Sequence, residues 1–238
     1  MKKRLILSVA AAMMFTNLAV AGEIKGLEAY GRVIYIGDDL ANTDGLAAGG
    51  KVKYEREVAA GLTMGAALHL SLPLSGTSDV KSTALADGDG EFYGQYELYA
   101  AYTMGATTFK AGQLQLDTPL AGSDDVRIVP NLMDVVLVQN GDLPDTTLIG
   151  AYVFGFNGWD SLAAKRESFK SYSMSEAVGV NGLVGDKGVG VVAAIYKGLL
   201  NTTIQAWDYY GFDMLNAFYA DVTHTAKAGG VDVTLAGQ

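Results

Sequence analysis

Apolar and polar side chains alternate with a period of two along most of this chain. Residues 62–71 carry Met64 and Leu68 on one side and His69 on the other. Residues 91–104 repeat the alternation over a longer stretch. This period predicts β-strands with one apolar face, and strands of that length are uncommon in soluble proteins.

Read in this way, the pattern predicts about twelve strands. We place them near residues 27–37, 47–57, 62–71, 91–104, 106–116, 132–139, 146–156, 176–184, 188–197, 202–210, 214–224 and 230–237. Long joints at 38–46, 72–90, 117–131 and 157–175 alternate with short ones at 59–61, 105 and 185–187. Long loops at one end and short turns at the other are typical of outer-membrane barrels. The predicted fold class is therefore all-β, an antiparallel transmembrane β-barrel, with a soluble β protein as the alternative.

The N-terminus has the form of a secretory signal peptide. Three cations, Lys2, Lys3 and Arg4, precede an apolar stretch that ends in Ala19, Val20 and Ala21. The apolar stretch, about 14 residues, is too short to span a bilayer as a helix, and the Ala-x-Ala ending predicts cleavage after Ala21. The predicted domains are a signal peptide, 1–21, and a barrel, 22–238.

Composition narrows the function classes. Removal of the three N-terminal cations lowers the formal net charge from -9 to -12, which disfavours nucleic acid as a partner. The chain contains no cysteine, so disulfides cannot stabilise it. After residue 21, no apolar run reaches the roughly 20 residues of a transmembrane helix.

The motifs of catalysis and cofactor binding are weak. Residues 188–193 match the G-x-G-x-x-A dinucleotide fingerprint, but that motif must open a helix, and here a β-branched run follows. The two histidines, His69 and His224, lie in separate predicted strands without metal-ligand spacing. We predict no enzyme, no cofactor and no metal; an outer-membrane hydrolase that uses one of these histidines is a further hypothesis.

Residues 110–140 resemble the OprD-like family of outer-membrane porins. The resemblance is carried by a strand end followed by a Thr-Pro pair, an acidic segment, an arginine and a proline before the next strand. The matching residues are Gly112, Gln113, Thr118, Pro119, Asp125, Arg127 and Pro130. The resemblance implies that the third external loop, 117–131, folds inward and narrows a water-filled pore.

The resemblance also implies a function, which is passive diffusion of ions and small hydrophilic solutes. The charged residues of the loop, Asp124, Asp125 and Arg127, are then the candidate pore constriction. Both signs of charge inside a barrel require a wet lumen, since a dry one would impose a large desolvation cost. The alternative is a structural or adhesive outer-membrane barrel with a plugged lumen and partner-binding external loops.

Charged and amide residues within the predicted strands are candidates for the pore lining. A charge facing lipid near the bilayer midplane costs about 2 to 4 kcal/mol, so such side chains should face the lumen or an interface. The predicted lining residues are Arg32, Lys51, Lys53, Lys110, Gln113 and Gln115.

The chain departs from the family in two ways. OprD-like porins have about 18 strands, more than this chain supplies, and bacterial barrels usually end on an aromatic residue. This chain ends at Gln238. We expect part of a larger barrel, in the outer membrane of a Gram-negative bacterium, with lipid and small hydrophilic solutes as partners and a homotrimer as one assembly; a complete 12-stranded channel is the alternative.

Overall fold

The computed structural model describes most of the chain as strands joined by loops. The described residues are 11–15, 24–38, 43–76, 92–123, 128–158, 160–162, 167–180, 187–228 and 231–238. The strands are β1 Ala11–Phe15, β2 Leu27–Asp38, β3 Thr43–Ala59, β4 Leu62–Gly76, β5 Tyr93–Met104, β6 Thr107–Leu114, β7 Leu132–Asn140, β8 Thr146–Asn157, β9 Tyr172–Ser173, β10 Val189–Leu199, β11 Thr202–Gly211, β12 Leu215–Ala228 and β13 Val231–Gly237. One short helix, α1 Met174–Ala177, follows β9.

All these strands belong to one antiparallel sheet in which sequence neighbours pair. The order runs from β1 to β8 and continues with β10 to β13, while the two-residue β9 pairs only with the end of β8. β8 and β10 pair directly, with Val153 opposite Val189 and Thr146 opposite Tyr196. The prediction of an all-β fold built from an antiparallel meander is confirmed.

On β4 and β5, the two faces of the sheet have the reverse of the polarity found in a soluble protein. On β4 and β5, His69, Gln95 and Glu97 are buried, whereas Leu68 and Leu98 are exposed. We call the buried face, against which Ile128, Val129 and α1 pack, the inner face, and the opposite one the outer face. An apolar exposed surface around a polar interior suits strands surrounded by lipid.

From β2 onward, the joints at one end of the strands are short, and the long joints lie at the other end together with the short β2–β3 and β11–β12 joints. Short turns follow β3, β5, β7 and β10, and two of them place Gly105 and Asn201 at positive φ, 60° and 52°. Glycine and asparagine tolerate this left-handed conformation best, which lets the chain reverse within a few residues. The longer joints that follow β4, β6 and β8 lie at the other end, which we call the loop end.

The strand predicted at residues 176–184 is wrong over its described part, 176–180, which contains a helix end and a turn. Met174–Ala177 forms α1, and residues 181–186, which include most of the predicted 185–187 turn, lie outside the described residues. The Ser173 side chain accepts from the backbone of Glu176, whose side chain accepts from the backbone of Ser173, a reciprocal capping box. This local capping prevails over the weak alternation of the segment.

The structure also bears on the dinucleotide motif at residues 188–193 and on the predicted signal peptide. Residues 189–199 form strand β10 with no helix, which removes the structural context a dinucleotide site at residues 188–193 requires. Ala11–Phe15, inside the predicted signal peptide, pairs with β2 as strand β1. Cleavage after Ala21 would remove β1 from the sheet edge, and the signal peptide remains a prediction.

Among the described residues, helices of the length and apolar character needed to cross a membrane do not occur.

Candidate functional site

Four cations lie on the inner face of the first strands, and we call this region the basic wall: Arg32 of β2, Lys51 and Lys53 of β3, and Lys110 of β6. They keep to one face because alternate residues of a strand point the same way. The opposite face of β3 carries Val52 and Tyr54, both exposed.

Tyrosine rings and glutamates hold the cations of the basic wall. Lys51 Nζ lies 2.6 Å from Glu28 Oε1, and Lys53 Nζ lies 3.5 Å from Glu55 Oε2. Lys53 and Lys110 approach the Tyr99 ring at 5.2 and 4.8 Å from its centroid, within cation–π range. The Tyr99 hydroxyl donates to Glu55. Arg32 lies 4.8 Å from the Tyr30 centroid.

The two predicted glutamines occupy different settings. Gln113 is buried, and its amide nitrogen donates to Asp134 Oδ1 at 2.9 Å and to Ser171 Oγ at 3.2 Å. It thus ties β6 to the loop before β9. Gln115 lies just past the end of β6 and is half-buried.

A buried polar network lies beside the basic wall and was not predicted. His69 Nε2 lies 2.8 Å from Glu97 Oε1, with both side chains almost fully buried. Toward the loop end, Gln95 and Tyr93 both donate to Asn157 Oδ1, each at 2.8 Å. The alternation of residues 91–104 places these side chains on one face, but their pairing depends on the strand register, which sequence alone does not give.

The loop between β6 and β7 packs along the inner face. Ile128 and Val129 are buried in a cluster with Ile34, Ala47 and Tyr93, which belong to β2, β3 and β5. A Cβ on Gly49 would stand 2.4 Å from Ile128, so the missing side chain leaves room for the loop. The far arm of the loop, residues 116–122, lies instead against the later strands.

Hydrogen bonds fix both arms of this loop. Ser123 donates from its amide and its hydroxyl to Asp117 Oδ1, at 2.8 and 2.7 Å. Asn131 donates from its backbone to Ser123 O at 2.6 Å and from its side chain to Asp160 Oδ2 at 2.7 Å. The predicted constriction residues Asp124, Asp125 and Arg127 lie outside the described residues.

The inner face of β7 to β12 is mainly apolar beside the β6–β7 loop, and we call this part of it the apolar wall. Together with the loop arm and α1 it borders a cavity of about 610 Å³. Gln139 is a polar lining residue on these strands, and the apolar ones are Met133, Leu137, Ile149, Ala151, Val153, Phe156, Val189, Val191, Trp207, Tyr209, Leu215 and Ala217. This region was not predicted, although Trp207 and Tyr209 alternate along one strand of the sequence.

A carboxylate network closes the apolar wall toward the turns. Asp221 is buried, and its Oδ2 accepts from Gln205 at 2.5 Å and from Tyr219 at 2.8 Å. Gln205 in turn accepts from Trp207 Nε1 at 2.8 Å. The indole is thereby held by its nitrogen, with its ring against the cavity.

The candidate metal ligands and the two histidines lie apart in the part of the chain that the structure describes. No cluster of three or more histidine, aspartate or glutamate side chains there is placed to hold a metal ion. His224 lies on β12 with Nδ1 2.8 Å from Thr202 Oγ1, far along the sheet order from His69 on β4.

Comparison with known proteins gives structural neighbours only. No family model matches the sequence, and no curated protein matches it. Among solved structures, OpdK of Pseudomonas aeruginosa with vanillate matches with a TM-score of 0.66 at 20% identity, over 85% of this chain and 54% of that one. A BenF-like porin of Pseudomonas fluorescens matches at 0.66 and 16%, over 87% and 56%. OccAB3 of Acinetobacter baumannii matches at 0.61 and 14%, over 77% and 47%.

These neighbours are porins whose barrels continue beyond the part that this chain matches. The chain spans about half the length of the solved porins. The sequence resemblance over residues 110–140 is thus matched by a likeness that extends over most of the chain. At the level of the fold, this chain is an antiparallel sheet of the OprD-like outer-membrane porin type.

Proposed function

We propose that this chain forms the wall of an outer-membrane porin, a passive diffusion channel for ions and small hydrophilic solutes in a Gram-negative bacterium. The observation that carries the proposal is the inverted polarity of the sheet. His69, Gln95 and Glu97 are buried on the inner face, while Leu68 and Leu98 are exposed. A water-soluble protein would bury these leucines and expose the polar groups.

Aromatic side chains at the loop end add independent support. Tyr152, Phe154, Tyr210 and Phe212 form a contiguous group, with ring centroids 5.0 to 6.3 Å apart. Barrels in the outer membrane carry girdles of aromatic residues where the lipid chains meet the headgroups. This group lies where such a girdle would be needed.

Within this function, the β6–β7 loop is the proposed constriction. Its described parts contact the inner face on both sides: Ile128 and Val129 reach β2 and β3, and Leu120 lines the cavity against the later strands. Asp124, Asp125 and Arg127 lie between these parts in sequence. They would therefore line the passage that the loop leaves open.

Reversal potentials across a planar bilayer under a salt gradient test both proposals. Replacing Asp124 and Asp125 together by Asn should shift the selectivity toward anions, and Arg127→Gln should shift it toward cations, because one charge matters most in a narrow pore. Both shifts should shrink near 1 M salt, where the Debye length is about 3 Å.

The control is the conductance of the unmutated protein. If both variants give steady current with unchanged reversal potentials, the porin proposal stands, but the three charges do not line the constriction. A folded, inserted protein without steady current would instead favour the structural or adhesive barrel, whose lumen the loop plugs.

A further inference from the structure

The cavity beside the apolar wall has the size and shape of a small-molecule site. Its volume, about 610 Å³, falls in the range of ligand pockets. Trp207 and Tyr209 form one side, with stacked rings whose centroids are 6.1 Å apart and whose planes differ by 13°. Ile149 and Val191 flank these rings, and Leu120 and Met174 line the cavity from the loop and from α1.

This lining is unusual for the lumen of a diffusion channel, which is normally polar. An apolar surface in contact with water has a free-energy cost that a bound apolar group removes. The nitrogen of Trp207 is bonded to Gln205, so the indole offers its ring and not its polar atom. The surface therefore suits a flat, apolar group.

The described charges that line the cavity are of one sign. Among the described residues, its charged lining consists of Asp117 and Asp160. Each accepts hydrogen bonds from the loop, Asp117 from Ser123 and Asp160 from Asn131, which fixes their positions. The four cations of the basic wall belong to β2, β3 and β6, and none of them lines the cavity.

We propose that this cavity binds a compact aromatic solute that is cationic or uncharged, and that it discriminates against aromatic carboxylates. The ring packs against Trp207 and Tyr209, and a cationic group is attracted both by the ring faces and by Asp117 and Asp160. A carboxylate would be repelled by the same two aspartates. The inference rests on the proposed function only in treating the bound molecule as a solute on its way through the pore.

A ligand series that varies the charge alone tests the proposal. The chain has two tryptophans, so Trp159→Phe leaves Trp207 as the single indole reporter. Benzylamine, benzyl alcohol and benzoate are titrated against this variant in detergent, and Trp207 fluorescence is followed. We expect benzylamine and benzyl alcohol to change the emission at concentrations at least about tenfold below those at which benzoate does.

Two variants make the outcome specific. Asp117 and Asp160 replaced together by Asn should narrow the gap between benzylamine and benzoate while leaving benzyl alcohol unchanged, because the amide keeps the shape and the acceptor oxygen. Trp207→Leu, followed by equilibrium dialysis, should abolish binding of benzylamine and benzyl alcohol alike. Tightest binding of benzoate, or a change in emission with none of the three compounds, would overturn the proposal.

Conductance measured without any solute separates this proposal from the porin function. If the protein conducts ions but binds none of the three aromatic compounds, the porin function is supported and the proposed binding site is contradicted. If the protein binds the compounds in the expected order but does not conduct ions, the binding site is supported and the porin function is contradicted.

Discussion

At the scale of single residues, the cations of the basic wall differ in how far their charge is compensated. Lys51 forms a short ion pair with Glu28. Lys110 contacts the Tyr99 ring and forms no salt bridge with any residue that the structure describes. An ion in the lumen should therefore respond to Lys110 more than to the Lys51–Glu28 pair, because the fields of the two paired charges largely cancel.

This difference gives a matched pair of variants. Lys110→Gln should shift the permeability ratio toward cations by about a factor of two or more, which needs a change of only about 0.4 kcal/mol in the energy of the ion. Replacing Lys51 and Glu28 together by Gln should produce a smaller shift, because this double substitution removes an ion pair that has no net charge. Reversal potentials at low salt measure both. A larger effect of the double substitution at the Lys51–Glu28 pair would contradict the assignment.

How much of the site is predictable also differs residue by residue. Period-two alternation was enough to place Arg32, Lys51, Lys53 and Lys110 on one side of their strands. It was not enough to pair His69 with Glu97, because that contact joins two strands whose register depends on the loop between them. The surface formed by Trp207 and Tyr209 was not predicted. From sequence alone, an apolar strand face is expected to contact lipid, and only the neighbouring strands and the β6–β7 loop show that this one lies inside.

At the scale of elements, the β6–β7 loop is held at its base by Asn131. This side chain binds Gly122, through its backbone oxygen, and Asp160, while the Asn131 backbone binds Ser123. A Cβ on Gly158 would stand 2.2 Å from the Asn131 amide oxygen, so the neighbouring loop also fits closely around this side chain. The contacts couple the β6–β7 loop to the loop that follows β8.

Asn131→Ala should release this coupling. We expect larger fluctuations of the single-channel current and a higher mean conductance, since a buried hydrogen-bonded side chain is removed and about 1 to 3 kcal/mol of local stabilisation is lost. Asn140→Ala is the matched control: Asn140 ends the same strand at the turn end, where it binds Thr107 and Asp142. Equal noise in both variants would mean that Asn131 does not restrain the loop.

The elements also show where sequence reasoning fails. Long periodic strands such as β5 and β8 were predicted close to their observed bounds, because alternation over ten or more residues leaves little ambiguity. The segment 176–184 was misread as a strand. Its Ser173 to Glu176 spacing is a capping-box signature, and attention to it would have favoured the helix turn that the structure contains.

At the scale of the whole molecule, the sheet predicts which substitutions should prevent insertion into a bilayer. Leu98, near the middle of β5, is 56% exposed on the outer face, whereas Ala101 follows Glu97 and Tyr99 on the inner face and stands opposite Lys110. A lysine that faces lipid near the midplane costs about 2 to 4 kcal/mol, and one that faces a wet lumen costs much less.

Leu98→Lys should therefore reduce the yield of protein folded into lipid vesicles, and Ala101→Lys should leave it nearly unchanged. Heat modifiability on electrophoresis and protease resistance measure the folded fraction. Both substitutions lie on the same strand, so the two variants are directly comparable. Refolding the proteins from urea removes any effect of translation or export. An equal loss of folded protein in both variants would indicate that the outer face does not contact lipid any more than the inner face does.

The packing of Ile128 and Val129 against Ile34 and Ala47 also bears on the order in which the molecule assembles. Nearly every strand pairs with its sequence neighbour, so the sheet can grow one hairpin at a time, whereas this loop contact joins segments more than 80 residues apart. Contacts between distant segments form late, because the chain entropy of closing them must first be overcome. We expect the wall to form while the passage is still wide, with the loop closing over it afterwards. A fluorophore and quencher on Ala47→Cys and Val129→Cys should report contact only after the circular dichroism of the sheet has developed.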